Sequence, residues 1–229
     1  MPLSGKPLPF DHPDFIFELK YDGFRSLAMI EHGRSQLISR NGHPFNSFTE
    51  LRQAIAAFVP DTGRTVLDGE IVCLDRLGRP QFRDLLFHRA EPCFYAFDLL
   101  MRDGKDLRHE PLIDRKRELR RLLAGLPLTS RLQYVDHLEQ RGTALFQRVC
   151  EMDLEGIVAK HSFGPYVAVR ERSTWFKIRN RSYSQIQGRE ELFERERHKE
   201  PVPGWRCCEL ACAELEQANV LLSGGIRTE

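Results

Sequence analysis

The chain has 229 residues, enough for one compact domain or a domain plus a tail, and its 41% apolar content with 16 further glycines is that of a folding sequence. Its 34 basic and 33 acidic residues leave a net charge of +1, which excludes coating of nucleic acid by bulk charge; any DNA contact has to come through a local basic face. No stretch approaches the roughly 18 apolar residues of a membrane span, the amino terminus has no apolar signal core, and the six cysteines form no C-x-x-C pair, so a soluble, cytoplasmic protein with reduced thiols is expected.

Pro2, Pro7, Pro9 and Pro13 fix φ and withhold ladder donors, which predicts an extended lead-in. Phe15 to Leu19 and Phe24 to Ile30 are β-type runs on either side of Asp22-Gly23, a pair that commonly builds a hairpin turn. Leu37 to Ser39 gives a short strand before the Asn41-Gly42 turn. Ser47 and Glu50 form an S-x-x-E capping box, and Phe48, Leu51, Ile55 and Phe58 recur at helical spacing behind it. Thr65 to Leu74 is strand-like, Phe82 to Phe87 a short helix, and Phe94 to Leu100 the most apolar strand. From Leu112 to Leu126, Arg and Lys alternate with Leu at i, i+4 spacing, an amphipathic helix whose basic face (Arg115 to Arg121) is open either to solvent or to DNA phosphates. Val135 to His137 reads as a strand, Thr143 to Met152 as a helix, and Gly156 to Ala159 and Trp175 to Ile178 as the last strands. Charged residues surround Leu192 and Phe193 between Gly188 and His198, as in a solvated helical tail.

Strands interleaved irregularly with helices favour an α+β domain over a doubly wound one. Neither G-x-G-x-x-G nor G-x-x-x-x-G-K-[ST] occurs, so nucleotide binding would need side chains.

Glu18-Leu19-Lys20-Tyr21-Asp22-Gly23-Phe24-Arg25, taken alone, is as consistent with a hairpin carrying a lysine as with a catalytic site. Five more segments follow it in order: Ser39-Arg40-Asn41-Gly42, Leu67-Asp68-Gly69-Glu70-Ile71-Val72, Tyr95-Ala96-Phe97-Asp98-Leu99-Leu100, Glu155-Gly156-Ile157-Val158-Ala159-Lys160 and Trp175-Phe176-Lys177-Ile178-Arg179. Together they resemble motifs I, Ia, III, IIIa, IV and V of the covalent nucleotidyltransferases, and specifically the ATP-dependent DNA ligases, including the ligase domains of bacterial end-joining enzymes. The resemblance implies a nucleotidyltransferase (ATP-grasp-like) fold of two antiparallel sheets flanked by helices around an ATP cleft. It implies that a lysine attacks the α-phosphate of ATP, holds AMP as a phosphoramidate and passes it to a DNA 5′-phosphate for nick sealing.

By that resemblance Lys20 is the nucleophile, and Lys177 and Arg179 hold the α-phosphate. Moving a lysine pKa from about 10.4 to near 7 takes roughly 4 to 5 kcal/mol, which Arg25, Lys177, Arg179 and a divalent metal would supply as neighbouring cations. Glu155 resembles the carboxylate that binds Mg²⁺, with Mn²⁺ the alternative. Glu70 would accept a hydrogen bond from the ribose, Phe97 would stack on adenine, Glu18 would contact the adenine N6 group, and Arg40 would grip the nick's 5′-phosphate. Asp22 is either turn-forming or a polar contact to the lysine and the DNA 3′ end.

The expected organisation is an adenylation domain over residues 1–183 and a charged helical tail over 184–229. Residues 180–229 leave too little length for the OB domain that normally follows motif V. Self-adenylation slowed by that absence is an expectation. The expected partner is nicked double-stranded DNA, with other repair proteins or an OB-type chain in trans as further candidates, and a monomer is expected. An RNA ligase, a GTP-using capping enzyme and a non-catalytic nucleotide- or DNA-binding module are the alternatives. Cys207, Cys208 and Cys212 match no standard zinc spacing and read as ordinary thiols.

Overall fold

The structure, a computed structural model, describes residues 1–186. The expected charged tail helix and Cys207, Cys208 and Cys212 lie outside the described residues.

Strands β1 (Ser4–Gly5), β2 (Phe15–Leu19), β9 (His137–Glu139), β10 (Gly156–His161) and β11 (Trp175–Arg179) form a five-stranded sheet in the order β1-β11-β10-β2-β9. Strands β3 (Phe24–Glu31), β4 (Arg34–Ser39), β5 (Thr65–Val72), β6 (Cys93–Arg102) and β7 (Lys105–Asp106) form a second sheet in the order β4-β3-β5-β6-β7, with β8 (Leu132–Tyr134) also paired to β6. Pairing is antiparallel as expected, except that β1 lies parallel to β11 and β8 parallel to β6.

Helices cover the outer faces. Leu51 and Ile55 of α1 (Thr49–Phe58) and Leu119 of α3 (Leu112–Leu122) pack with Ala28, Leu67 and Leu99 of the six-stranded sheet. Val149 of α4 (Gly142–Glu151) packs with Phe17, Ile157 and Ile178 of the five-stranded sheet. Each buried Leu, Ile, Val or Phe among these contributes about 1.5–3 kcal/mol by leaving water. A third cluster of Ile16, Leu112 and Trp175, with Phe97 and Tyr166 against it, joins the two inner faces. The short α2 (Phe82–Leu86) adds Leu85 to the larger core.

Three local expectations are corrected. β2 and β3 do not form a hairpin, because they belong to different sheets and Asp22-Gly23 is where the chain crosses between them. Gly23 is needed there for close approach: a Cβ would lie 2.1 Å from the Ile71 carbonyl oxygen. The Ser47 capping box does not form; α1 starts at Thr49 behind Phe48, with no side-chain cap. The single strand expected around Val135 is two strands, β8 in one sheet and β9 in the other, so residues 132–139 make a second crossing.

Candidate active site

The two inner faces enclose a pocket lined by Glu18, Lys20, Arg25, Glu70, Phe97 and Lys160, with Tyr21, Val158 and Trp175 beside them. Strand alternation puts them there. In β2, Phe17 faces the outer core while Glu18 points inward, and in β10 Ile157 and Ala159 face outward while Val158 and Lys160 line the pocket. In β6, Phe94 and Ala96 enter the core and Phe97 faces the pocket.

Lys20 follows β2, and its backbone N–H still bonds the Gly156 carbonyl at 2.9 Å, which holds it alongside the start of β10. Gly156 itself has φ +152°, and a Cβ there would come within 2.2 Å of the Ile178 carbonyl oxygen. Glu155 therefore sits opposite Lys20, with Nζ donating to Oε2 at 2.6 Å. The two side chains are 17% and 5% exposed, so the pair is shielded but open on the lysine side. A ring of cations around Lys20 was expected, but its bonded partner in the resting site is this carboxylate.

Arg25 explains part of the difference. Its Nε and Nη2 donate to Asp68 at 3.1 and 2.6 Å and its Nη1 to the Met1 carbonyl at 2.7 Å, so its charge is matched within the fold. Burial would raise the Asp68 carboxyl, but Arg25, the Met1 ammonium at 3.5 Å and the Tyr166 hydroxyl donating at 2.9 Å together bring Asp68 down to about 2. Asp22 is buried with its carboxylate 3.5 Å from the Tyr183 hydroxyl.

Lys177 stands opposite Val158 in the β10–β11 register and Arg179 opposite Gly156. Both lie on the same face of β11 as Trp175, which reaches the pocket, but Arg179 is exposed and neither lines the pocket itself. Arg40 is exposed one residue past β4; Ser39 pairs with Ser26, so Arg40 lies at the end of the sheet that carries Arg25 and Glu70.

Burial pushes the Glu70 carboxyl up to about 8, with Lys20 and Arg25 opposing the rise and Glu155 and Asp68 adding to it. An unfolded carboxyl loses its proton near 4.5, so between these values the folded chain binds more protons and its stability falls as pH rises. Glu70→Gln is expected to flatten that fall, measured as the melting temperature at about pH 5.5 against about pH 8.5, each kcal/mol being worth about 2–4 °C. An equally steep fall in the variant would contradict the assignment.

The face of α3 read as basic and outward is divided. Arg117 and Arg121 are exposed and paired with Asp114 and Glu118 on the same helix. Arg115 and Lys116 turn inward, and both are 1% exposed. Arg115 forks onto Asp98 at 2.9 and 2.8 Å. Lys116 Nζ lies 2.8 Å from Glu18 Oε1 and donates to the Val135 carbonyl at 2.6 Å. From β10, Lys160 Nζ lies 2.5 Å from Glu18 Oε2 and sits over the rings of Phe97 and Trp175 at 4.3 and 4.0 Å. Burial would raise the Glu18 carboxyl, but these lysines hold it below its ordinary value. Burial brings Lys160 down to about 8 although Glu18 opposes the fall.

Neither lysine was singled out from the sequence. The signal was the charged Glu18 and Asp98 within strands otherwise apolar enough to be buried, since a buried carboxylate requires a partner.

Fold and site together define a nucleotidyltransferase domain, with two sheets around a pocket that carries a lysine, paired carboxylates and an aromatic slot. Residues 8–179 match the family model described as the ATP dependent DNA ligase domain, and the chain belongs to that family. The multifunctional non-homologous end joining protein LigD of Pseudomonas aeruginosa is 34% identical over 172 residues, covering 72% of this chain and 20% of that protein. The bifunctional non-homologous end joining protein LigD of Bacillus subtilis is 34% identical over 196 residues, covering 73% of this chain and 31% of that protein. This chain therefore spans less than a third of either relative. The crystal structure of the ligase domain from M. tuberculosis LigD superposes with a TM-score of 0.68 at 28% identity, covering 77% of this chain and 57% of that one. A mycobacterial DNA ligase D complexed with ATP and MES matches with a TM-score of 0.67 at 28% identity, covering 78% of this chain and 58% of that one.

Proposed function

We propose that this chain takes AMP from ATP onto Lys20 and passes it to the 5′-phosphate of nicked double-stranded DNA. The observation that carries this reading is the Lys20–Glu155 pair at the mouth of a pocket whose other walls offer an aromatic slot and the carboxylates of Glu18 and Glu70. In the first step the Lys20 Nζ lone pair bonds to the α-phosphorus, the bond from that phosphorus to the pyrophosphate oxygen breaks, and pyrophosphate leaves with the electron pair. Lys20 must first lose a proton to water, which requires its 2.6 Å hydrogen bond to Glu155 to open. Lys177 and Arg179, on the pocket side of β11, supply positive charge toward the phosphates, and Phe97 stacks on the base. Glu70 faces the ribose, Asp22 the DNA 3′ end and Arg40 the 5′-phosphate.

No group of three or more His, Cys, Asp or Glu side chains suited to a metal occurs among the described residues. The Glu155 carboxylate beside Lys20 fits Mg²⁺, which is commonly held by one or two carboxylates, water and substrate phosphates. Glu155 would hold it, and when bound it supplies charge neutralisation on the phosphate oxygens. No helix among the described residues is long and apolar enough to cross a membrane. We place the chain in the cytoplasm, acting as a monomer at breaks in DNA, with residues 1–183 as the adenylation unit and 184–229 as a tail.

The test is intact mass after incubation with ATP and Mg²⁺, repeated after adding nicked DNA. A gain of one AMP that disappears on DNA addition, with a sealed strand on a denaturing gel, is the expected result. No mass gain would overturn the reading in favour of a binding module, and a gain from GTP in preference to ATP would favour a capping-type enzyme.

A further inference from the structure

Arg25 reaches the pocket only partly committed. A guanidinium carries five N–H donors. Nε and Nη2 each give one to Asp68 and Nη1 gives one to the Met1 carbonyl; the other two, one on Nη1 and one on Nη2, have no acceptor among the described residues. The side chain is 23% exposed and lies beside the rings of Phe97 and Trp175, at 5.2 and 5.8 Å. Where the two open N–H groups point is set by the fork on Asp68. Asp68 in turn sits at an irregularity in the β5–β6 ladder, where the register shifts between Asp68 and Gly69. Such a shift re-aims a side chain, so the ladder alone does not fix the carboxylate.

We propose that Tyr166 is a positioning residue for nucleotide binding: its hydroxyl orients Asp68, and through Asp68 the two open N–H groups of Arg25, toward the oxygen acceptors of the ribose and phosphates. The inference deepens the nucleotidyl-transfer reading above and rests on it for the site's occupant. Tyr166 donates to Asp68 Oδ2 at 2.9 Å, the oxygen that also takes Nη2 of Arg25, and its own hydroxyl oxygen accepts from the Met1 ammonium. A carboxylate oxygen has two lone pairs, and the phenol takes the one that Arg25 leaves, so the two donors hold the carboxylate between them.

Tyr166 is itself held from outside the sheet that carries Asp68. Its N–H bonds the Arg108 carbonyl at 2.8 Å, its ring meets Trp175 edge-on at 6.0 Å, and the Arg115 guanidinium lies 6.0 Å from the ring centre. Arg115 also donates to the carbonyl of Gly164, earlier in the same connection between β10 and β11. Tyr166 does not line the pocket, yet it touches both Asp68 and Trp175, which flank Arg25 there. The connection therefore braces the nucleotide-facing arginine from behind.

Tyr166→Phe removes the hydroxyl and little else. ADP lacks the pyrophosphate leaving group that transfer to Lys20 expels, so its affinity reads binding apart from turnover. By calorimetry the full chain carrying Tyr166→Phe is expected to bind ADP about 10-fold more weakly than the parent. The ATP concentration that gives half the maximal adduct rate should rise about 10-fold as well, while the rate at saturating ATP stays within about 3-fold. Arg25→Lys, which keeps the charge on Asp68 but not the fork, should lose at least about 10-fold in ADP affinity. Adding Tyr166→Phe to it should change that by less than about 2-fold, since both act through one contact. A Tyr166→Phe chain that binds ADP as the parent does, whatever its melting temperature, would overturn the inference, and so would losses that multiply in the double variant. If Arg25→Lys does not fold, the split between affinity and saturating rate carries the test, and a saturating rate that falls while ADP affinity holds contradicts the assignment. Absence of an adduct in the parent, with the ADP pattern intact, would instead count against transfer alone.

Discussion

Lys20→Arg is expected to abolish the protein–AMP adduct, lowering its initial rate of formation by at least about 10⁴-fold, the scale seen when a nucleophile is removed. Arginine is the informative replacement. Glu155 is 5% exposed and its carboxylate is matched by Lys20, so alanine would both delete the nucleophile and leave a shielded charge unpaired. A guanidinium keeps the positive charge beside Glu155 but does not deprotonate in proteins, so it preserves the pairing and removes the chemistry. The measurement is intact mass against time with ATP and Mg²⁺, with ADP affinity as the control for an intact pocket. ADP affinity within about 10-fold of the parent, with no adduct, is the expected pair of results. Persistence of the adduct would mean that another lysine bonds to AMP. Lys160 would be the first suspect, since it shares the pocket and burial brings it down to about 8.

Local signals carried most of the strands and helices. The runs around Phe15, Phe24, Phe94 and Trp175 are strands because their alternation or apolarity suits a sheet with one face in a core, and that information sits within a few residues. Partner choice does not. Asp22-Gly23 looked like a hairpin turn because turn chemistry is local, whereas the placing of β2 and β3 in separate sheets is decided by β10 and β5, the strands they pair with far along the chain. The glycine is required for a different reason, contact with the Ile71 carbonyl. Helix α3 shows the same limit in electrostatics. Its Arg and Lys residues fit an exposed stripe, but the partners of Arg115 and Lys116 are Asp98 and Glu18, on β6 and β2, and only tertiary pairing brings them within reach. The motif order pointed to the pocket, which gathers Glu18, Lys20, Arg25, Glu70 and Phe97. It gave no indication that Arg25 is committed to Asp68 or that Lys20 rests on Glu155.

Asp98→Ala is expected to destabilise the chain by about 3–5 kcal/mol, because it strands the Arg115 guanidinium in a site where both side chains are 0% exposed. The loss extends beyond one ion pair. Asp98 Oδ1 also accepts the Leu99 N–H at 2.8 Å, and Arg115 Nη1 donates to the Glu110 and Gly164 carbonyls at 2.6 and 3.3 Å. Gly164 lies in the segment between β10 and β11, and the N–H groups of Leu112 and Ile113 bond the carbonyls of Gly164 and Ser162. The buried pair therefore ties β6 and α3 to the connection that leads from Lys160 to Trp175 and Lys177. Arg117→Ala, which removes an exposed pair on the same helix, should change stability by no more than about 0.5 kcal/mol. Urea midpoints of both variants give the comparison. A double replacement, Asp98→Leu with Arg115→Met, is expected to recover most of the loss, since two apolar groups of similar volume leave no charge unpaired. If the double variant is as unstable as Asp98→Ala, the cost lies in the lost carbonyl and Leu99 contacts, and Arg115 acts chiefly as a clamp on the segment that leads into β11.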